Sequence, residues 1–242
     1  MNHKSKILKK ILLSFVIICN SLIVFGQNED SLFVIKHIIR GLNDKTQKVG
    51  NVKQMVCSYQ SVDLNQPPMV VGLERKRGKW SIAIGPIKSS IGRNGFTLAE
   101  NKIEGDGKTP TGLYDLGKLF SYEYNVDTKL PFQQVDSLDK WIDDSNSNDY
   151  NKYVRGETTA KSFEYLKLKT IDYKYCMVIE YNTQPIVKGK GSAIFFHVAN
   201  EKYAPTAGCI AIAEKDMVQF LNWFKPNRKK AMLVIGELNT TN

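Results

Sequence analysis

The chain has 242 residues and carries 34 Lys and Arg against 24 Asp and Glu, which gives a formal net charge of +10 at pH 7. A basic excess of this kind favours contact with anionic polymers. The basic residues are scattered, however, and no basic stripe interleaved with aromatic residues is present, so a nucleic-acid partner is not expected.

The first 26 residues have the layout of a secretory signal peptide. Lysines but no acids lie within residues 1–10, residues 11–25 are almost entirely apolar, and Gly26 follows. An uncleaved membrane anchor is the alternative, although the apolar run is shorter than the roughly 20 residues that a spanning helix needs. Lipidation of Cys19 is disfavoured because Ile18 precedes it. We expect an exported protein of the periplasm or cell envelope, with membrane contact only through an uncleaved signal.

The elements that follow indicate a strand-rich domain behind a short helix. Helical spacing of apolar residues predicts an amphipathic helix over 30–42, within an N-terminal lead-in at 27–49. Three glycines and a proline exclude a helix over 104–112. Apolar runs bounded by turn residues predict strands at 52–59, 69–73, 80–84, 175–181, 193–198 and 232–235.

Two further stretches complete the predicted domain. Residues 120–170 are polar and aromatic, and their length favours a functional insertion over a linker. After a short apolar run at 210–213, residues 214–224 are predicted to form a helix, because Met217, Phe220 and their apolar neighbours share one face.

Three cysteines lie beyond the predicted signal peptide, and an exported protein with an odd number leaves at least one thiol unpaired. Cys57 and Cys176 lie in strand-like apolar runs, where they are either buried as small apolar side chains or bonded to each other. Cys209 differs, because it follows Gly208 in a turn-like Thr-Ala-Gly-Cys stretch.

Cys209 and His197 have the residue types of a cysteine nucleophile and its general base. Histidine commonly serves as the base because its ordinary pKa lies near neutrality. His197 ends a predicted strand 12 residues before Cys209, whereas His37 is expected to be a partly exposed helix residue. The alternative for His197 is a structural histidine of the core. A zinc site is not expected, because only these two candidate ligands are suitably placed.

The turn before Cys209 has features that such chemistry needs. Gly208 permits a sharp turn, and the N–H groups of Gly208 and Cys209 are available as donors to an oxyanion. The Thr206 hydroxyl is expected to hold the loop by a local hydrogen bond. Pairing of His197 with Cys209 is expected to lower the thiol pKa and raise the imidazole pKa.

The segment 191–197, which ends in His197, and the segment 205–209, Pro-Thr-Ala-Gly-Cys, together resemble the catalytic motif of YkuD-type L,D-transpeptidases. That motif is a histidine, a gap, and Ser/Thr-x-Gly-Cys. Other pieces similar to the family's pattern occur in the correct order, and the resemblance spans about residues 50–236. These pieces are Gly-Asp-Gly-Lys-Thr-Pro-Thr-Gly at 105–112, Ile-Gly-Arg-Asn-Gly at 91–95, Trp-Ile-Asp-Asp at 141–144 and Tyr-Asn at 150–151.

The resemblance implies a β-rich α+β fold, a β-sandwich with a helix in the C-terminal region and a short flanking helix, with the catalytic domain at 50–242. It implies that Cys209 attacks a carbonyl between an L-centre and a D-centre of a peptidoglycan stem peptide. His197 would be the base, oriented by the carbonyl of Val198, and Gly208 and Cys209 would supply the oxyanion donors. No cofactor and no metal are expected, and the oligomeric state is left open.

Two departures from the family's usual pattern bear on the acceptor. Ala207 stands where a histidine is commoner, and Ala211 stands where arginine or asparagine is usual. Arg93 and Arg155 are candidates to replace the missing basic group, unless they are ordinary surface arginines. A hydrolytic relative (an L,D-carboxypeptidase or amide hydrolase) is therefore one alternative. A non-catalytic wall-binding protein is a second alternative, against which the intact Cys209 and His197 argue. A papain-like peptidase is disfavoured because His197 precedes the cysteine.

Overall fold

The computed structural model describes residues 32–44, 49–61, 63–200 and 202–236. The predicted signal peptide at 1–26 lies outside these ranges, as do the first residues of the helix predicted over 30–42. Within the described ranges, no helix combines the length and the apolar character needed to cross a membrane.

The described residues form two α-helices, one short 3₁₀ helix at Ala99–Asn101 and a large set of strands. The helices are α1 (residues 32–43) and α2 (Glu214–Trp223). The strands are β1 (Gln54–Tyr59), β2 (Met69–Lys76), β3 (Lys79–Ser90), β4 (Phe96–Leu98), β5 (Thr109–Ser121), β6 (Phe132–Gln134), β7 (Asp139–Ile142), β8 (Tyr153–Arg155), β9 (Phe163–Tyr165), β10 (Tyr175–Ile179), β11 (Phe195–Val198), β12 (Ile210–Ile212) and β13 (Lys230–Gly236).

Eight of these strands form a closed sheet. Their order is β10-β11-β12-β3-β2-β1-β13-β5, and β5 also pairs with β10, so that the sheet returns to its starting strand. The long strand β3 allows this closure, because it pairs with β2 along most of its length and with β12 at Ser89 and Ser90. The β-rich α+β class expected from the sequence is confirmed. The expected sandwich of separate layers is not seen, because the hydrogen-bonded ladder is continuous and barrel-like.

The interior of the closed sheet holds the largest apolar core. Side chains from all eight strands meet there, such as Val56, Phe196, Ile210 and Met232. Helix α2 packs its apolar face onto this core, and the ring of Phe220 lies edge-on to that of Phe196, with ring centroids 5.6 Å apart. Alternation along each strand therefore directs every second side chain inward and leaves the others on the outer surface.

The outer surface is covered in two places. Helix α1 buries Val34, Ile35, Ile38 and Leu42 against outward-facing residues of β1, β2 and β13. On the other side, the stretch 120–170 folds into a three-stranded sheet of order β8-β7-β9. Its residues, with the segment that follows, cover the outer faces of β5, β10 and β11. The insertion is thus an ordered layer that lies over one part of the closed sheet.

Candidate active site

The register of two neighbouring strands brings His197 and Cys209 to the same outer face. Strands β11 and β12 are parallel, with Phe196 opposite Ile210 and His197 opposite Ala211. Phe196 and Ile210 point into the interior core, so the residues next to them, His197 and Cys209, point outward. Both side chains are 5% exposed. The two residues singled out by the sequence are therefore adjacent on the surface that the insertion covers.

The Cys209 thiol is held by the backbone that leads into β11. Its Sγ accepts a hydrogen bond from the Phe195 N–H at 3.3 Å and donates its own proton to the Ala193 carbonyl at 3.2 Å. The thiol is therefore fixed by one donor and one acceptor. The Phe195 N–H could also donate to a thiolate, whereas the Ala193 carbonyl can accept a hydrogen bond only from the protonated thiol.

The imidazole of His197 has one defined tautomer when it is neutral. Its Nδ1 lies 2.8 Å from the Val198 carbonyl and 3.1 Å from the Asp172 carbonyl. Since both partners are acceptors, Nδ1 must carry the proton and donate it. The lone pair is left on Nε2, which is the atom that a general base would use.

Burial keeps both members of this pair neutral at rest. Loss of water around the imidazole lowers the pKa of His197. Burial likewise raises the pKa of the Cys209 thiol, the Glu164 carboxylate raises it further, and the hydrogen bond from the Phe195 N–H opposes the rise. The expectation of a lowered thiol pKa and a raised imidazole pKa is therefore wrong for this resting state, because desolvation disfavours both charged forms.

The turn before Cys209 is closed by Thr206. The Thr206 hydroxyl donates to the Cys209 carbonyl at 2.7 Å and accepts the Gly208 N–H at 3.1 Å. Of the two N–H groups considered as oxyanion donors, that of Gly208 is thus already engaged in the resting state. The Cys209 N–H has no acceptor within the described part of the chain.

Hydrogen bonds join three of the segments that carry the family resemblance. The Gly92 N–H donates to the Thr109 hydroxyl at 2.8 Å, and that hydroxyl donates to the Gly208 carbonyl at 2.9 Å. Gly208 has a positive φ of 148°, and a Cβ there would lie 2.9 Å from the Lys108 carbonyl oxygen. Only glycine fits at position 208. The glycine-rich stretch 105–112 therefore packs directly against the turn that precedes Cys209.

The pair opens into a cavity of about 320 Å³ between the closed sheet and the insertion, called here the Cys209 cavity. Its lining is acidic, with Asp143 and Glu164 from the insertion and Glu104 from the loop before β5. The remaining lining residues include Lys102, Gly105, Leu168, Asp172, Tyr173, residues 192–194 and 204–207, His197, Ala199, Asn200 and Ala211. No group of three or more metal-ligating side chains is found in the described residues.

Asn151 is a site residue whose role the sequence did not reveal. Its side-chain oxygen accepts the Trp141 indole N–H at 2.8 Å and the Ala193 N–H at 3.1 Å. Its amide nitrogen donates to the carbonyl of Tyr181 at 3.2 Å and to that of residue 182 at 2.7 Å. Ala193 has a positive φ of 53°, and its carbonyl holds the Cys209 thiol. Asn151 therefore fixes the backbone against which the thiol rests.

The remaining candidate residues lie apart from this chemistry. Cys57 and Cys176 are both buried and free, so the disulfide left open by the sequence is absent. Arg155 forms ion pairs of 2.8 Å with Asp136 and 2.6 Å with Asp139 at the outer sheet of the insertion. Arg93 is exposed, and neither arginine lines the Cys209 cavity, so neither replaces the missing basic group.

Comparison with known proteins gives a family match for this chain. The family model of the L,D-transpeptidase catalytic domain, YkuD, matches residues 61–234. Searches of curated proteins and of solved structures found no match. The matched range contains the closed sheet from β2 onwards, the insertion, and both His197 and Cys209. Since it covers more than half of the chain, the protein belongs to the YkuD family of L,D-transpeptidase catalytic domains, whose members act on peptidoglycan stem peptides.

Proposed function

We propose that this chain is an exported L,D-transpeptidase that forms a thioester between Cys209 and a peptidoglycan stem peptide. One observation carries the proposal: His197 and Cys209 lie on the same face of adjacent parallel strands and line one cavity. Export is supported by the basic and then apolar residues at 1–25. This location would bring the protein to its polymeric substrate.

In the acylation step, His197 Nε2 takes the proton of the Cys209 thiol, and the sulfur attacks the carbonyl carbon between the L-centre and the D-centre. The new C–S bond replaces the C–N bond, and the imidazolium returns its proton to the leaving amine. The Cys209 N–H is the free donor for the oxyanion. Neutral His197, with its proton on Nδ1, is in the form that this step requires.

In the second step, an acceptor opens the thioester. An amine of a second stem peptide loses a proton to His197, forms the new amide bond and releases Cys209 as the thiol. Water would follow the same route and give a carboxylate. Cys209 is only 5% exposed, so little bulk water reaches its sulfur, and this low exposure favours the amine over water.

The test is incubation of the mature protein with disaccharide-tetrapeptides, followed by mass spectrometry of the products. Transpeptidation predicts a crosslinked dimer that has lost one terminal D-residue. A shortened monomer without dimer would make the protein a hydrolase on this scaffold. Binding without any product would favour a wall-binding protein, and the proposal of a transpeptidase would be rejected.

A further inference from the structure

Tyr173 and Glu164 form a second functional pair beside Cys209, and the mechanism above does not use it. The Tyr173 hydroxyl donates a hydrogen bond to Glu164 Oε2. Both side chains line the Cys209 cavity. The Tyr173 ring also stands edge-on to the imidazole of His197, with centroids 5.1 Å apart. One tyrosine therefore contacts the base, the carboxyl group and the surroundings of the nucleophile.

The resting hydrogen bonds around the sulfur suit a thiol and not a thiolate. The Cys209 S–H donates a hydrogen bond to the Ala193 carbonyl, and the Tyr173 O–H donates one to Glu164. Once the thiol proton moves to His197, the sulfur is negative and needs donors. Phe195 N–H is already within reach at 3.3 Å. The Tyr173 hydroxyl lines the same cavity, and it lies close enough to Cys209 to lower the pKa of the thiol.

We propose that the Tyr173 phenol is a catalytic hydrogen-bond donor to the Cys209 sulfur, and that Glu164 is a positioning residue that controls this donor. When Glu164 is a carboxylate, it holds the phenol proton. When Glu164 takes a proton from solvent, its own O–H can donate to the phenol oxygen, and the phenol proton is free to turn towards the sulfur. The proposal rests on Cys209 being the nucleophile.

The surroundings of Glu164 are suited to this exchange near neutral pH. Burial raises its pKa to about 7, the Tyr173 hydrogen bond lowers it, and the charges of Asp143 and Glu104 raise it. Asp143 follows β7, and Glu104 precedes β5. Cys176 of β10 and Cys209 beside β12 lie close enough to Glu164 for its charge to raise the pKa of both thiols. The ionised carboxylate therefore opposes a thiolate both by its charge and by holding the phenol proton.

Two conservative variants separate this role from a structural one. Tyr173→Phe keeps the ring that packs on His197 but removes the donor, so the thiolate of Cys209 should form less readily. Glu164→Gln replaces the carboxyl group with an amide that carries no charge at any pH, so the Cys209 thiolate should form more readily. Simple damage to the site would move both variants in the same direction. Tyr165→Phe is the matched control, because Tyr165 lies next to Glu164 in β9 but is 45% exposed and outside the cavity.

The experiment measures the rate of iodoacetamide labelling of the Cys209 peptide by mass spectrometry between pH 5.5 and 9. At pH 7, Tyr173→Phe should label about tenfold more slowly than the unaltered protein, which is the effect of losing one hydrogen bond to a charged atom. Glu164→Gln should match the unaltered protein below pH 6 and label faster above pH 7, because only there is Glu164 ionised. Tyr165→Phe should match throughout.

Turnover of disaccharide-tetrapeptides is measured on the same samples, together with Cys209→Ala. The inference alone would be overturned by two results together. Cys209→Ala would be inactive, and the labelling rates of Tyr173→Phe and Glu164→Gln would be either both unchanged or both shifted in the same direction. Retained turnover in Cys209→Ala would overturn the proposed function as well. Opposite shifts of the two variants would support the inference, and circular dichroism confirms that each variant is folded.

Discussion

His197 is neutral at rest because burial lowers its pKa, and its lone pair lies on Nε2, the atom that the proposed general base would use. Two backbone carbonyls, those of Val198 and Asp172, fix the proton on Nδ1. Under the proposed function, the charged pair forms only after substrate is bound, when the Cys209 proton moves to His197.

His197→Ala should lower the rate of acylation by about 10²–10⁴-fold, the usual contribution of a positioned general base. His37→Ala is the matched control, because His37 lies exposed on α1 and should leave the rate unchanged. The rate is followed as release of the terminal D-residue from a disaccharide-tetrapeptide. A His197→Ala variant that turns over at the normal rate would show that another group accepts the thiol proton.

Gly208→Ala should lower the activity by more than the addition of a single methyl group would suggest. The added Cβ would lie 2.9 Å from the Lys108 carbonyl oxygen and 3.0 Å from Ile194 Cδ1, so the turn that presents Cys209 must shift. We expect at least about tenfold less activity and a loss of about 1–3 kcal/mol in the free energy of unfolding.

Gly78→Ala provides the comparison for Gly208→Ala. Gly78 also has a positive φ, of 86°, but a Cβ there meets nothing within 4 Å. This variant should lose only about 1 kcal/mol of stability and keep its activity. Equal activities of the two variants would mean that contact with Lys108 does not position the nucleophile.

At the scale of elements, the insertion is a layer that carries acidic groups to the site and supports its backbone. Its sheet β8-β7-β9 brings Glu164 over the Cys209 cavity, while Asn151 holds Ala193. Hence the insertion determines both the charge of the cavity and the position of the carbonyl that holds the thiol. An ordered insertion of this kind also restricts which groups can approach the sulfur.

Glu164→Gln should stabilise the fold at alkaline pH. The pKa of Glu164 is raised from 4.5 to about 7, so the folded state holds this proton more tightly than the unfolded chain does. Stability is therefore lost as pH rises from about 4.5 to about 7, and the loss persists above that range. At pH 8 the free energy of unfolding of the variant should exceed that of the unaltered protein by about 1–2 kcal/mol, which raises Tm by roughly 3–6 °C. Near pH 4 the two proteins should not differ.

Thermal unfolding followed by circular dichroism at pH 4 and pH 8 measures this effect. Glu157→Gln is the control, because Glu157 is an exposed carboxylate of the same insertion and does not line the cavity. A Tm difference for Glu164→Gln that is the same at both pH values would contradict a raised pKa in the folded state.

The elements that the sequence predicted well are those with a strong local pattern. Strands β1, β2, β10 and β11 and helix α2 lie within two to three residues of the predicted ranges, because their apolar residues follow the period of the element. By contrast, β5 begins inside the stretch 104–112 and runs for 13 residues through Pro110, Gly112 and Gly117. These residues disfavour a strand locally, and long-range pairing with β13 and β10 overrides them.

The site was predictable only where a motif carried it. His197 and Cys209 stand out because they match a family motif of a histidine followed, after a gap, by Ser/Thr-x-Gly-Cys. Tyr173 and Glu164 have ordinary neighbours in the sequence. Asn151 lies in the Tyr-Asn stretch at 150–151, but that stretch does not reveal its partners, which strand pairing and the insertion bring to it. The charge state of the pair was also missed, because it depends on burial, which appears only when the layers are assembled.

At the scale of the whole molecule, the three free thiols of the described residues occupy different structural settings. Cys57 lies under α1, and Cys176 lies opposite His197 on β10. Cys209 adjoins β12, which is separated from β10 by β11. Two strand spacings, roughly 9–10 Å, separate Cys176 from Ala211, and Cys209 lies two residues further along, beyond the reach of a disulfide. Within the described residues, Cys209 is the one thiol that lines the cavity of its histidine.

The double variant Cys57→Ala with Cys176→Ala should keep its chemistry and lose stability. Both thiols are fully buried, and each replacement removes one packed atom, at a cost of about 1 kcal/mol. Denaturant unfolding measures the stability, and product formation measures the chemistry. If the double variant folds normally but makes no product, the nucleophile has been assigned to the wrong thiol.

The most direct test of the account is to capture the acyl-enzyme. The mature protein is mixed with a disaccharide-tetrapeptide, quenched in acid and analysed by intact-protein and peptide mass spectrometry, with Cys209→Ala alongside. We predict a covalent adduct of the stem peptide without its terminal D-residue, located on the Cys209 peptide, released by hydroxylamine and absent from Cys209→Ala. An adduct on another residue, or turnover by Cys209→Ala, would contradict Cys209 as the nucleophile.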